Sequence, residues 1–185
     1  MKLTRQQLAD CMPFAGGRVD TYLEPLNVAM AEAEINTPAR AAMWIAQIAH
    51  ESGEMRWTEE KASGAAYEGR RDLGNIHPGD GVRFKGRGLL QITGRFNYAA
   101  CSRWMSGNEN LFLDNPELLA TVPLFAARSA AWFWRLRSLN VPSDRHDMLA
   151  ATRRINGGRN GLADRIRYYD RARIVLGDDL TRRDD

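Results

Sequence analysis

The sequence predicts a mainly α domain of α+β type, one globular unit over residues 1–185 with a small irregular loop or β insert. Three observations carry that expectation. The chain has 185 residues, 44% of them apolar and 26% charged, enough for one domain that buries roughly 70% of its unfolded surface. Helix-start and helix-stop signals recur along most of its length. Between Gly64 and Gly88 they give way to repeated glycines, Pro78 and the turn pair Asp80-Gly81, and no helical period persists.

Thr4 with Gln7 forms a capping box at the N-terminus. Asn36-Thr37-Pro38 supplies a cap and a proline for the first helical position, predicting a helix from Ala39 to about His50. Met43, Trp44, Ile45 and Ile48 leave it little polar face, so it is expected to run through the core. Asp114-Asn115-Pro116 repeats that start and predicts a helix from Glu117 onward, and Ser143 is expected to cap a helix reaching about Arg154. The last helix is expected over Leu162–Leu176, with Gly177 stopping it. There is no internal repeat, low-complexity tract or linker.

Composition excludes several classes. Average apolar and charged fractions rule out wholesale disorder, collagen-like repeats and disulfide scaffolds. No apolar run approaches the roughly 18 residues a membrane span needs, because Gln47 and Arg128 break the best candidates. Arg5 and Asp10 interrupt the N-terminal segment, so a secretory signal is not expected and synthesis in the cytoplasm is. Cys11 and Cys101, far apart and outside any CxxC pattern, are expected to be buried thiols. None of the three histidines His50, His77 and His146 has HExxH spacing, and no metal is expected.

The net charge of +3 hides an asymmetry: residues 1–60 carry 5 basic and 9 acidic side chains, the remainder 21 and 14. All but Lys2, Lys61 and Lys85 of the 26 basic residues are arginines, whose paired donors suit carboxylates and phosphates. An anionic polymer is one reading and ordinary solvated helix faces the other. The arginines are scattered rather than clustered, which speaks against a nucleic-acid partner.

Chemistry concentrates in four places. The apolar helix ends in His50-Glu51-Ser52-Gly53, where a carboxylate meets the negative end of the helix dipole and an apolar wall. Both favour its neutral form and suit a general acid, although a solvated charge at a helix end is the plainer reading. Glu59-Glu60 follows. On one unbroken helix, nine residues means about 13.5 Å of rise and half a turn, so Ser52-Gly53 must bend the chain if the carboxylates cooperate. Inverting glycosidases hold theirs roughly 6.5–9.5 Å apart around a water. Phe84–Tyr98 lacks the third glycine of a dinucleotide loop and the GK[ST] of a P-loop. It interleaves Gln91, Thr93 and Asn97 with Leu90, Ile92 and Phe96, which suits sugar hydroxyls, acetamido groups and ring faces, and equally a half-buried strand. Ile155-Asn156-Gly157-Gly158 is a turn able to present the Asn156 amide.

Taken in order, His50-Glu51-Ser52-Gly53, Gly86-Arg87-Gly88-Leu89-Leu90-Gln91-Ile92-Thr93, Ile155-Asn156-Gly157-Gly158 and Ala163-Asp164-Arg165-Ile166 resemble glycoside hydrolase family 19, the chitinases and related phage endolysins, over residues 40–177. The resemblance implies a lysozyme-like fold with a catalytic cleft and inverting cleavage of β-1,4 bonds beside N-acetylated sugars, without a cofactor. By the same resemblance Glu51 is the general acid, Glu60 the base and Thr93 a hydroxyl that holds the attacking water. Gln91, Asn97 and Asn156 are sugar-binding amides, and Arg165 orients the acidic network. The segment between the two glutamates is shorter than in plant members, which leaves Glu59, Glu54 and Glu68 as alternatives to Glu60. Neither the cysteine bridges of the family, nor a secretion signal, nor a carbohydrate-binding module is expected. A phage or prophage endolysin is therefore expected: a monomer made in the host cytoplasm, reaching peptidoglycan glycan strands through a separate membrane lesion without inserting stably in the membrane itself. A true chitinase and a non-catalytic glycan-binding module are the alternatives.

Overall fold

The Thr37 hydroxyl accepts the Arg40 amide at 3.3 Å, and Pro38 takes the first position of the central helix of the fold. The computed structural model describes residues 1–178. Its helices are α1 (Arg5–Cys11), α2 (Arg18–Glu32), α3 (Pro38–Ser52), α4 (Asp80–Arg83), α5 (Arg95–Ser106), α6 (Asn110–Asp114), α7 (Leu118–Thr121), α8 (Pro123–Leu136), α9 (Asn140–Asp144), α10 (Met148–Asn156) and α11 (Leu162–Leu176). Single 3₁₀ turns cover Ala65–Tyr67 and Arg71–Leu73. The β structure among the described residues is two antiparallel bridges, Glu59 with Arg87 and Arg87 with Ile92. Among the described residues no helix is long and apolar enough to cross a membrane.

Two apolar clusters organise these elements. In the larger, α3 packs along α11 and α2 along α8. Trp44 and Trp134, both fully buried, join the two pairs edge to face, centroids 5.2 Å apart at 80°. Burying each indole removes large apolar surfaces from water and contributes of the order of 2–3 kcal/mol. The smaller cluster gathers Phe84, Ile92, Tyr98, Cys101, Phe112, Leu119 and Trp132. Helix α8 serves both, turning Trp134 to one and Trp132 to the other. Cys11 and Cys101 are buried thiols, as expected from their spacing.

The capping box at Thr4 forms with both of its bonds, and α11 has the expected bounds, stopped by Gly177 in the left-handed region. Two starts differ from the sequence expectation. Asp114-Asn115-Pro116 opens only the single turn α7, and the long helix starts at Pro123, which repeats the proline-first logic further along the chain. Ser143 lies inside α9 with its hydroxyl on the Leu139 carbonyl; the cap of α10 is Asp147, which accepts the Ala150 amide at 2.8 Å.

Residues 64–88 are irregular and held by polar ties. The Glu68 carboxylate accepts the amides of Gly79 and Gly81 at 2.7 and 2.8 Å. Asp80, 1% exposed, accepts the amides of Ile76 and His77 and two Arg95 nitrogens at 2.9 and 2.6 Å. Burial opposes its charge, but the Arg95 and backbone donors win and hold its carboxyl below the usual value. The stretch Phe84–Tyr98 is not a strand: a bridged turn runs into α5 at Arg95.

Candidate active site

Glu51 occupies the penultimate position of α3, and the chain after it turns back on itself. Gly53, Glu54 and Met55 take three successive left-handed conformations, at φ +56, +58 and +65°. Only the first is glycine; each of the others costs about 1 kcal/mol or more. Hydrogen bonds impose the bend. The Ser52 hydroxyl accepts the Met55 amide at 2.7 Å, the Ser52 carbonyl accepts Trp57 at 2.8 Å, and the Glu54 amide reaches the Ala49 carbonyl at 2.9 Å. The Glu54 carboxylate, 2% exposed, accepts the Phe14 amide and the Tyr168 hydroxyl at 2.6 and 2.9 Å.

The Glu51 side chain, 21% exposed, is gripped from α11. Arg165, 1% exposed, donates one terminal nitrogen to Glu51 Oε1 and the other to Gln47 Oε1, and its Nε to the Asn160 carbonyl at 3.3 Å. Gln47 stands one turn before Glu51 on the same helix face, and its Nε2 lies 3.1 Å from the Met148 sulfur. Glu51 Oε2 has no partner among the described residues. His50 Nδ1 lies 2.6 Å from Asp164 Oδ2. Burial disfavours the Asp164 charge, but His50 and Arg167 outweigh it and hold its carboxyl below the usual value.

Glu60 is held by a different kind of scaffold. Its amide bonds to the Gly86 carbonyl at 3.0 Å, and Gly88 bonds to the Thr58 carbonyl at 2.8 Å, so residues 58–60 lie along the glycine-rich turn. The Tyr67 hydroxyl donates to Glu60 Oε2 at 3.0 Å. Burial first, and then that bond, push the Tyr67 hydroxyl above its ordinary value and keep it a donor. Glu60 Oε1 is buried and accepts nothing from the described residues. A Cβ placed on Gly86 would stand 2.7 Å from Gln91 Oε1 and 3.3 Å from Glu60 Oε2, which puts the amide and the carboxylate side by side. Gln91 is itself left-handed, at φ +47°, with its Nε2 on the Gly88 carbonyl at 3.1 Å. Thr93 follows with Oγ1 3.4 Å from the Gln91 carbonyl, and Asn97, in the first turn of α5, donates to the Thr93 carbonyl at 2.7 Å.

The other nearby carboxylates are occupied. Glu59 pairs with Lys85 at 2.8 Å and Arg87 at 3.1 Å. Burial works against its charge, yet these cations hold its carboxyl below the usual value. Glu54 and Glu68 are spent on the ties described above.

The family model described as class I chitinase, glycoside hydrolase family 19, matches residues 39–170. The chain belongs to glycoside hydrolase family 19. Among curated relatives, a family 19 domain-containing protein of Haemophilus influenzae is 36% identical over 113 residues, 61% of this chain and 52% of that protein. The basic endochitinase CHB4 of Brassica napus is 32% identical over 157 residues, 81% of this chain and 56% of its own. The chain thus spans about half the length of these relatives. Of solved structures, chitinase C of Streptomyces griseus superposes with a TM-score of 0.76 at 21% identity, covering 94% of this chain and 76% of that one. A bacterial family 19 chitinase gives 0.72 at 23%, covering 94% of each. At these identities the superpositions establish the fold, which is the mostly helical, lysozyme-like fold of family 19.

Against that family 19 frame the structure sorts the residues singled out by the sequence into two groups. Glu51 and Arg165 stand together on α3 and α11; Glu60, Gln91, Thr93 and Asn97 form the second group on the turn and the start of α5. Asn156 belongs with the first, but both ends of its amide are used within its own loop. Its Nδ2 donates to the Asn160 carbonyl and its Oδ1 accepts the Gly158 amide, each at 2.9 Å. It thereby shapes the turn that delivers Asn160 to Arg165. Sequence reasoning missed Gln47, Asn160 and Tyr67. Gln47 carried a signal: an amide amid apolar residues of a buried helix, four positions ahead of a glutamate.

Proposed function

We propose that the protein is an inverting glycosidase that hydrolyses β-1,4 bonds beside N-acetylated sugars, with peptidoglycan glycan strands as substrate and bacteriolysis by a phage-type endolysin as its role. The observation that carries the reading is the asymmetry of the two glutamates. Glu51 has one oxygen fixed by a buried guanidinium and the other without a partner, while Glu60 has one oxygen fixed by Tyr67 and the other buried with no donor. An unpaired buried acceptor is destabilising by about 1–3 kcal/mol. A water arriving to be deprotonated satisfies it. In this mechanism Glu51 in its acid form protonates the leaving oxygen from Oε2. Glu60 Oε1 takes a proton from the water attacking the opposite face of the sugar, and the Thr93 hydroxyl helps hold that water. Gln91 and Asn97 supply amides to the acetamido and hydroxyl groups. Arg165 holds Glu51 in place and then stabilises it once its proton is lost.

The arginine-rich later part of the chain favours an anionic glycan, and peptidoglycan carries carboxylates that chitin lacks. The chitinase names of the relatives favour chitin as the second reading. Purified peptidoglycan and chitin oligomers offered separately distinguish the two. The expected result is new reducing ends of α configuration from peptidoglycan, identified by NMR immediately after cleavage. Products of β configuration, or cleavage of chitin alone, would overturn the mechanism or the substrate respectively.

A further inference from the structure

A second feature of α11 lies on the flank of the Glu51 side and takes no part in that chemistry. Two adjoining hollows of about 220 and 590 Å³ share Asp164 and Arg167 in their walls. The first adds Phe14, Tyr168 and Arg171; the second adds Arg159 and the turn at Gly161. Three arginines therefore face the Asp164 carboxylate, with the buried Glu54 carboxylate behind the wall, which leaves the groove net positive. Arg167 bonds to Asp164 but keeps 79% of its side chain exposed, and Arg159 and Arg171 make no ion pair among the described residues. Phe14 is 79% exposed, more than the other exposed phenylalanine, Phe96, at 61%.

These walls are built rather than incidental. The buried Glu54 carboxylate takes the Phe14 amide with one oxygen and the Tyr168 hydroxyl with the other, so one group fixes the aromatic residues on both sides. The groove is also joined to the Glu51 side. Asp164 bonds His50, the residue before Glu51, and Gly161 lies so close to the His50 ring that a Cβ there would come within 2.1 Å of it. A net positive trough with an exposed aromatic rim suits a ligand with several carboxylates and small apolar groups. A neutral sugar polymer makes no use of the charge.

We propose that this groove binds the anionic peptide stems of peptidoglycan next to the bond being cut, and so sets the preference for peptidoglycan over chitin. The inference rests on the glycosidase reading above and names the part of the substrate that this face recognises. Substrate loses affinity when its carboxylates meet reversed charge, and the effect fades as salt screens it beyond about 8 Å.

The test compares peptidoglycan bearing its stems with the same glycan strands stripped of peptide by an amidase. For the double variant Arg159→Glu, Arg171→Glu, the ratio of kcat/KM on stem-bearing to stripped strands is expected to fall about tenfold at low salt. Arg159→Lys, Arg171→Lys should keep that ratio within about threefold. A parallel fall on both substrates, or an unchanged ratio, would overturn the proposal; activity on stripped strands reports that the variant is folded. If the wild type cuts neither polymer, the glycosidase reading fails by itself. The groove is then judged by titrating a stem tetrapeptide into isotope-labelled wild-type protein. Salt-sensitive NMR shifts at Phe14, Tyr168 and Arg171 support it, and equal shifts with the same peptide amidated at its carboxyls overturn it.

Discussion

The two sides of the candidate site are built by opposite means. Glu51 stands on a helix buried in the larger apolar cluster and is gripped by a guanidinium that is 1% exposed. Glu60 stands on a segment without regular structure and is positioned by a backbone bond to Gly86 and by one tyrosine. The difference teaches that position and reactivity need different support. In the proposed mechanism a proton donor must be aimed and then stabilised as an anion, which calls for a rigid cation, and a base must keep one oxygen free for water, which a glycine-lined turn permits and a packed core would not.

The largest effects come from removing the two carboxyls. Glu51→Gln and Glu60→Gln should each lower kcat by about 10²–10⁴, but their stabilities should separate. Glu51→Gln leaves Arg165 buried without its anion and should lower the urea midpoint; Glu60→Gln should leave it nearly unchanged, since Tyr67 can still donate to the amide oxygen. Equal midpoints would break the comparison. Glu59→Gln should cost less than about tenfold in kcat, since its partners are Lys85 and Arg87.

Arg165→Met comes next. It strands Gln47, Glu51 and the Asn160 carbonyl together and should cost about 3 kcal/mol in stability as well as most activity. Arg165→Lys should recover little, because one ammonium cannot span two acceptors on α3 and a carbonyl in the α10–α11 turn. A lysine variant with wild-type kcat would show that charge alone suffices.

The matching probe on the other side is Asp80, the buried anion of the irregular segment. Its carboxyl is held below the usual value, so it contributes stability above its unfolded value of about 3.9, and that contribution is lost as pH falls through the lower native value. Asp80→Asn should therefore cost about 2 kcal/mol at pH 7, with the deficit shrinking in urea melts as the pH is taken below about 4. A deficit independent of pH would mean that shape, not charge, is what Asp80 supplies.

Legibility in the sequence follows the same division. Local rules showed α3 and α11 because caps, proline and apolar stripes act over a few residues: Thr37, Pro38 and Gly177 perform as their positions suggest. They misplaced the starts of α8 and α10, because Asn115-Pro116 and Ser143 are equally good caps on local grounds, and the packing of Trp132, Trp134 and Met148 selects Pro123 and Asp147. The position of Glu51 was readable from one apolar helix ending in a glutamate. Which later carboxylate keeps an oxygen free was not, since four glutamates follow Glu51 within 17 residues and only tertiary contacts show Glu54 tied to an amide and a hydroxyl, Glu68 to amides and Glu59 to cations. Asn156 misled in a similar way: nothing local distinguishes an amide offered to a ligand from one folded back on its own turn.

The finest test sets two glycines against each other, one at each carboxylate. At Gly161, φ is +69° and a Cβ would strike the His50 ring at 2.1 Å, a ring already fixed by Asp164. Gly161→Ala must therefore displace the residue beside Glu51 or the turn that feeds Arg165, and should cost about 2 kcal/mol in stability together with activity. At Gly86 no left-handed φ is required, and the contact nearest a Cβ is the end of the flexible Gln91 side chain. The amide can swing away at little energetic cost, so Gly86→Ala should change the unfolding midpoint by less than the equivalent of about 1 kcal/mol. It still moves Gln91 and crowds Glu60 Oε2 at 3.3 Å, and a small displacement of reacting groups is enough to slow chemistry by about tenfold. Loss of kcat without loss of stability at Gly86, and loss of both at Gly161, is the outcome the two scaffolds require; the same pattern at both glycines would mean that the turn is as rigid as the helix pair.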